Sequence, residues 1–279
     1  MREFHIINVG VSIITNYQRS LPDGDEIKKK QLSENEFWTT KLNQPEFLNK
    51  IYNFVKEKPK ERSAELNSFL RKIEGSSNQT EVYFVGTKTP INEICVRTLE
   101  RFVKESGLTL YTPKEVPGYF METTYGENRV KSFVNGISDM LDHLVKIAET
   151  KKNEGYKVYF NPTGGFKAHV VAMALAGFMS GCEVYYIHEE FNDLITFPPL
   201  FYIPKGMEIE LLKKLMEKKE KYITGAEFNQ LLIEFGEEMD RLNHYGLVEY
   251  ELDDSNRPFR LRITNRGKVI LRQLIEEKC

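Results

Sequence analysis

Residues 158–167, Val-Tyr-Phe-Asn-Pro-Thr-Gly-Gly-Phe-Lys, leave the chain around them few options. Val158, Tyr159 and Phe160 form a short apolar run of β type and Asn161-Pro162 stops it. The glycine pair then opens residues 168–181, a segment too apolar and Ala-rich for a surface helix. The pattern predicts a strand, a tight turn and a buried helix. Gly164 and Gly165 permit close backbone approach or positive φ, and the first free N–H groups of the helix face the same space, which favours an anion there. Lys167 sits in the first turn. A cation beside the positive end of a helix costs about 0.3–1 kcal/mol, and a phosphate lodged between them reverses that cost. The plainer reading is a simple turn with a solvated lysine. No Walker A loop is present, and no Gly-x-Gly-x-x-Gly follows a candidate strand.

The same alternation runs through most of the chain. Residues 4–9 read as a strand closed by Gly10-Val11-Ser12, with residues 13–16 running on into a polar loop at 18–25. Helical patterns cover 26–40, 45–56 and 61–73, and their Lys and Glu runs read as solvated faces. A second strand at 81–86 turns through Thr87-Lys88-Thr89-Pro90 into a helix at 91–106, with Thr89 as N-cap and Pro90 at the first helical position. Residues 108–111 form a third strand. A Pro/Gly-rich loop at 112–127 precedes an amphipathic helix at 128–152. A strand at 157–160, a helix at 165–181 and a strand at 183–187 follow, then a hairpin of 194–197 and 200–202 around Pro198-Pro199.

Alternating strands and helices imply right-handed crossovers and a mostly parallel sheet with helices on both faces, an α/β fold of Rossmann-like type. Its expected strand order is 3-2-1-4-5. The first and fourth strands are then neighbours at the topological switch point, where ligands of open α/β sheets bind outside the carboxyl ends of the strands. Those ends carry Ser12 and the turn from Thr163 to Lys167, so two distant stretches converge by topology.

The chain is 41% hydrophobic and 29% charged with a net charge of −2, which argues against non-specific coating of nucleic acid or anionic membrane. No apolar run reaches a spanning length and no signal-peptide core follows Met1, so no membrane role and a cytoplasmic location are expected. Cys95, Cys182 and Cys279 have no metal-like spacing, as fits a reducing compartment.

Pro204-Lys205-Gly206 marks a boundary between domains at 1–204 and 205–279. Beyond it, helices at 207–219, 224–234 and 237–244, strands at 247–252 and 259–263, and a helix at 265–275 resemble a winged helix-turn-helix. Residues 205–279 carry 14 Lys and Arg against 15 Asp and Glu. Glu234, Glu237, Glu238 and Asp240 crowd the helix that would enter a groove, leaving Arg257, Arg260 and Arg262 for phosphate, so DNA binding is disfavoured.

Gly-Val-Ser-Ile-Ile-Thr-Asn at 10–16, Gly-Thr-Lys-Thr-Pro at 86–90 and Asn-Pro-Thr-Gly-Gly-Phe-Lys at 161–167 resemble the motifs of CRISPR-associated Rossmann fold (CARF) proteins. The resemblance covers about residues 1–204. With the appended module it extends to stand-alone ring nucleases, dimers that bind cyclic oligoadenylate, chiefly the tetra-adenylate, across their two-fold axis and cleave it. A two-fold dimer suits a ring that itself contains a two-fold axis. By this resemblance the catalytic lysine falls on Lys167 and the serine after the first strand on Ser12. Gly10, Ile13, Asn16, Thr87, Thr89, Asn161, Thr163, Gly164, Gly165 and Phe166 fall on ligand-binding positions.

The reaction so implied is metal-independent: a ribose 2′-OH attacks the adjoining phosphate, leaving a 2′,3′-cyclic phosphate. No metal or cofactor is expected, because the five histidines show no ligand spacing. No general base is apparent, since His169 falls on a different helical face from Lys167. Two competing readings are a non-catalytic sensor that regulates transcription through the C-terminal domain and a generic nucleotide-binding α/β protein.

Overall fold

Phe4, Ile6 and Ile7 are fully buried, as in a strand covered on both faces. In the computed structural model, which describes residues 2–113, 129–188, 190, 193–197, 200–218 and 222–276 (backbone only for 129–133 and 276), they belong to β1 (Arg2–Asn8). The chain continues through α1 (Ser12–Ser20), α2 (Glu26–Lys29), α3 (Asn35–Leu42), α4 (Pro45–Glu57), α5 (Pro59–Arg62) and α6 (Ala64–Lys72). It then forms β2 (Gln79–Val85), α7 (Pro90–Glu105), β3 (Thr109–Leu110), α8 (Arg129–Asn153), β4 (Tyr156–Asn161), α9 (Lys167–Met179), β5 (Glu183–Ile187) and β6 (Leu194–Phe197). The expected loop at 112–127 falls almost wholly outside the described residues.

The sheet order is β3-β2-β1-β4-β5-β6. The first five strands are parallel in the Rossmann-like order expected, and β6 runs antiparallel on β5. Side chains alternate between the two faces with a period of two. Phe4, Ile6, Tyr83 and Val85 meet α8 and α9 through Met140, Leu144, Met173 and Ala176. Ile7, Val82 and Phe84 meet the helices of the other face, α1, α3, α4, α6 and α7, through residues such as Ile14, Trp38, Ile51, Phe69 and Leu99.

Four local expectations are corrected. Residues 13–16 do not run into a loop but lie inside α1, because Ile13, Ile14 and Tyr17 together form a buried helical stripe. The helix expected over 26–40 splits into α2 and α3, where Glu34 Oε1 accepts from Gln31 N at 2.7 Å and Trp38 Nε1 donates to Gln31 O at 2.9 Å. The pattern at 61–73 is interrupted at Ser63, which caps α6 by accepting from Leu66 N at 3.2 Å. Residues 194–197 pair with β5 and not with 200–202, which form no strand.

Residues 2–197 and 198–276 belong to two compact units. Tyr202, placed upstream of the boundary by the sequence, belongs to the second unit, stacking on Tyr245 at 4.0 Å and donating to Glu208 Oε1 at 2.8 Å. That unit comprises α10 (Met207–Glu217), β7 (Ile223–Thr224), α11 (Gly225–His244), β8 (Val248–Leu252), β9 (Pro258–Ile263) and α12 (Asn265–Glu276), with an antiparallel sheet ordered β7-β9-β8. The two helices expected at 224–234 and 237–244 both lie within α11, where non-helical backbone at Phe235 (φ −135°, ψ 24°) kinks the element between them.

Candidate functional site

β1 and β4 pair directly, Ile7 opposite Asn161, so the segments that follow them leave the sheet side by side. α1 begins at Ser12 and packs on one face, and α9 begins at Lys167 and packs on the other. Two helix N-termini thus open at one switch point, each with unsatisfied backbone N–H groups and the positive end of its dipole.

The floor of this crevice is main chain held at contact distance. A Cβ on Gly10 would come within 2.5 Å of Gly165 N. One on Gly164 would overlap Glu65 Oε1 and approach Gly10 N at 2.7 Å. Gly165 has φ +97°, a value that disfavours any side chain, and a Cβ there would overlap Asn8 Nδ2. Asn8 donates through that same nitrogen to Gly164 O, stitching the end of β1 to the turn after β4.

Three further side chains hold the loops. Glu65, 1% exposed, reaches from α6 and accepts from Gly10 N at 2.8 Å, Ser12 Oγ at 2.7 Å and Ser63 Oγ at 2.8 Å. Asn92 of α7 donates to Val9 O at 2.8 Å and Gly10 O at 3.0 Å and accepts from Thr87 N at 2.8 Å, coupling the ends of β1 and β2. Asn161, fully buried, donates to Ser68 Oγ at 2.7 Å and accepts from Thr163 N at 3.1 Å and from Thr163 Oγ1.

The residues singled out in the sequence occupy different positions. Ser12, Gly10, Gly164, Gly165, Phe166 and Lys167 lie on the two segments flanking the switch point, with Phe166 61% exposed and Lys167 exposed. Asn161 and Thr163 shape the turn from beneath. Thr87 and Thr89 lie beyond the neighbouring strand β2, where Thr89 caps α7 by accepting from Asn92 N at 3.3 Å. Ile13 is fully buried in the core, so only its backbone is available to a ligand. Asn16 donates to Arg62 O at 3.3 Å and ties α1 to the end of α5.

Asn8, Glu65 and Asn92 were not foreseen. Glu65 lies in a Lys/Glu-rich helical pattern that reads as solvent-facing, and its only signal is Ser63 two residues earlier, a hydroxyl suited to capping. Nothing in the sequence distinguishes Asn92 from any polar residue in a first helical turn.

His169 is buried two residues into α9, its ring edge-on to Phe166 at 5.7 Å, and burial holds its pKa down to about 4. It is therefore neutral at neutral pH and turned inward, whereas Lys167 is turned outward. Among the described residues no group of three or more His, Cys, Asp or Glu is placed to hold a metal ion. Nor, among them, is any helix long and apolar enough to cross a membrane.

A doubly wound sheet with a glycine-floored crevice between β1 and β4 defines a Rossmann-like α/β protein with an anion-favouring switch point. Residues 60–200 match the family described as CRISPR-associated protein (Cas_APE2256), just over half of the 279 residues, and the chain belongs to that family. Membership associates it with CRISPR defence. Among solved structures the chain is similar to protein VC1899 from Vibrio cholerae, with 10% identity, a TM-score of 0.36, and coverage of 97% of this chain and 63% of that one. The chain therefore spans less than two thirds of the VC1899 chain, and a likeness at that score carries nothing further about function.

Proposed function

We propose that the first unit binds a cyclic oligoadenylate, with the tetra-adenylate as preferred ring, and cleaves it as a ring nuclease that switches off CRISPR signalling. The observation that carries this reading is the exposed ammonium of Lys167 at the first position of α9, beside two helix N-termini and a floor of glycine backbone. Such a site suits a phosphodiester. The substrate brings its own nucleophile: the 2′-oxygen bonds to phosphorus, the P–O5′ bond breaks, the 2′-OH gives its proton to water and the departing 5′-oxygen takes one up. The protein's part is to fix that geometry and to stabilise charge on the phosphoryl oxygens.

One crevice spans only part of a tetranucleotide ring, so the reading includes a homodimer. Its support is the face of α9 on which Val171, Leu175 and Met179 are 66%, 43% and 45% exposed at four-residue spacing. Lys167 lies one turn before Val171 on that same stripe. A two-fold contact along it brings two lysines towards a common axis.

We read the second unit as winged helix-turn-helix-like, from the break at Phe235 and the β8–β9 hairpin. The alternative of a ligand-controlled transcription regulator meets a difficulty there. Arg257, Arg260 and Arg262 already pair with Asp253 at 3.3 Å, Glu251 at 2.9 Å and Glu249 at 2.8 Å. The deciding experiment is incubation with cyclic tri-, tetra- and hexa-adenylate in EDTA. Linear products ending in 2′,3′-cyclic phosphate are expected from the tetra-adenylate, and binding without products would favour the sensor.

A further inference from the structure

Ser12 is the partly exposed member of a closed hydrogen-bond set, and that set fixes what the hydroxyl can offer. A serine hydroxyl has one proton to give and two lone pairs to receive with. The proton goes to Glu65 Oε2 at 2.7 Å, and one lone pair accepts from Ala64 N at 3.2 Å. What remains is a single lone pair. Glu65 cannot release the serine proton by changing roles, because Gly10 N, Ser12 Oγ and Ser63 Oγ all donate to it. Ser63 cannot take over on the solvent side, being 1% exposed and engaged with Leu66 N.

We propose that Glu65 is a positioning residue that makes Ser12 an obligate acceptor, so that the crevice recognises a ligand hydroxyl, the ribose 2′-OH, and not a phosphate oxygen. The inference rests on the oligoadenylate reading and deepens it. A phosphate oxygen only accepts and would meet another acceptor at Ser12. A 2′-OH donates, and its hydrogen bond to Ser12 Oγ turns the O–H bond away from phosphorus and a lone pair of the 2′-oxygen towards it. Phosphates are left to Lys167 and the helix N-termini. Backbone N–H of Gly10 on the same carboxylate ties this polarity to the floor of the crevice, because any shift of Glu65 also moves the Gly10 loop.

Replacing Glu65 with glutamine makes the idea testable at constant shape. The amide oxygen must face Gly10 N, since two N–H groups cannot face each other. Its NH2 then faces Ser12 and Ser63, and the Ser12 proton is freed towards the crevice. Polarity inverts.

The experiment compares binding of cyclic tetra-adenylate and its 2′-fluoro counterpart to the full chain, by fluorescence polarisation read before turnover. Fluorine keeps the sugar pucker but donates no hydrogen bond. The unaltered protein is expected to prefer the ribose ring by about tenfold or more, the worth of one good hydrogen bond. Glu65→Gln should lower that preference to about twofold, with the melting transition retained. Ser12→Ala should abolish the preference as well, and it reports on the acceptor even if Glu65→Gln fails to fold. Equal binding of both rings by the unaltered protein, or an undiminished preference in folded Glu65→Gln or in Ser12→Ala, overturns the inference and leaves the proposed function standing. Failure to bind either ring overturns both.

Discussion

Ser12 Oγ and Glu65 Oε2 are 2.7 Å apart, which joins the first residue of α1 to a carboxylate carried by α6, 53 residues further along the chain. Gly164 lies against the other oxygen of that carboxylate. Glu65 thus holds the loop after β1 by hydrogen bonds and packs against the turn after β4, which Asn8 ties to the end of β1, and the contact leaves no room for a methyl group.

Gly164→Ala is expected to destabilise the first unit by about 1–3 kcal/mol, the usual scale for overpacking, because its Cβ would collide with Glu65 and with the Gly10 backbone. Gly24→Ala has no atom within 4 Å of the new Cβ and serves as the control. Thermal melts of the two variants should differ clearly, and equal midpoints would mean that the loops give way freely.

Lys167→Ala should slow cleavage of cyclic tetra-adenylate by about 10²-fold or more, the scale for loss of one preorganised charge partner in the transition state. Binding should weaken less, since the glycine turn and helix N-termini still hold phosphate. Single-turnover rates and equilibrium titrations separate the two effects. An unchanged rate would leave Lys167 as a binding group only.

Leu175→Glu places a charge in the middle of the exposed stripe of α9. If that stripe is the two-fold contact, sedimentation at micromolar concentration should move from dimer to monomer, and cleavage should fall with it. A variant that remains dimeric would place the contact elsewhere.

Acid should loosen the fold through its buried histidines. Burial holds the pKa of His169 down to about 4 and also lowers that of His5, whereas an unfolded histidine titrates near 6.5. Below about 6.5 the unfolded state binds more protons, so this contribution is complete above pH 6.5 and is lost as pH falls, for His169 down to about pH 4. Each such group contributes a slope of at most about 1.4 kcal/mol per pH unit. Denaturant midpoints measured from pH 7.5 to 4.5 should fall less steeply for His169→Gln than for the unaltered chain.

What the sequence disclosed about the fold follows from how local each signal is. The strand at 183–187 is bounded in sequence by Gly181 on one side and the polar run from His188 on the other, and its limits are those of β5. Pro90 after Thr89 announces α7 in the same way. The helix at Ser12 was hidden because Gly10-Val11-Ser12 has the composition of a turn and Ile13-Ile14-Thr15 is β-branched. Only packing against Phe47 and Phe54, contacts made by Tyr17, settles it as helix. The site divides along the same line. Glycines and Lys167 are legible because they depart from what a plain helix start prefers. Glu65 is not, because its burial is decided by the distant loops at Gly10–Ser12 and Gly164, and a carboxylate among lysines looks the same whether it faces water or Ser12.

The pairing of β1 with β4 also governs when the crevice can exist during synthesis. β1 is made first and can recruit β2 early, yet its other edge stays open until Phe4 meets Val158 and Ile7 meets Asn161. Such long-range pairing is slow to form once its strands are available. A nascent chain that has not yet released β4 and the turn after it from the ribosome has an N-terminal half with an unfinished sheet. Until then the switch-point crevice lacks the wall that β4 and its turn supply, so a complete site there comes only with near completion of the first unit.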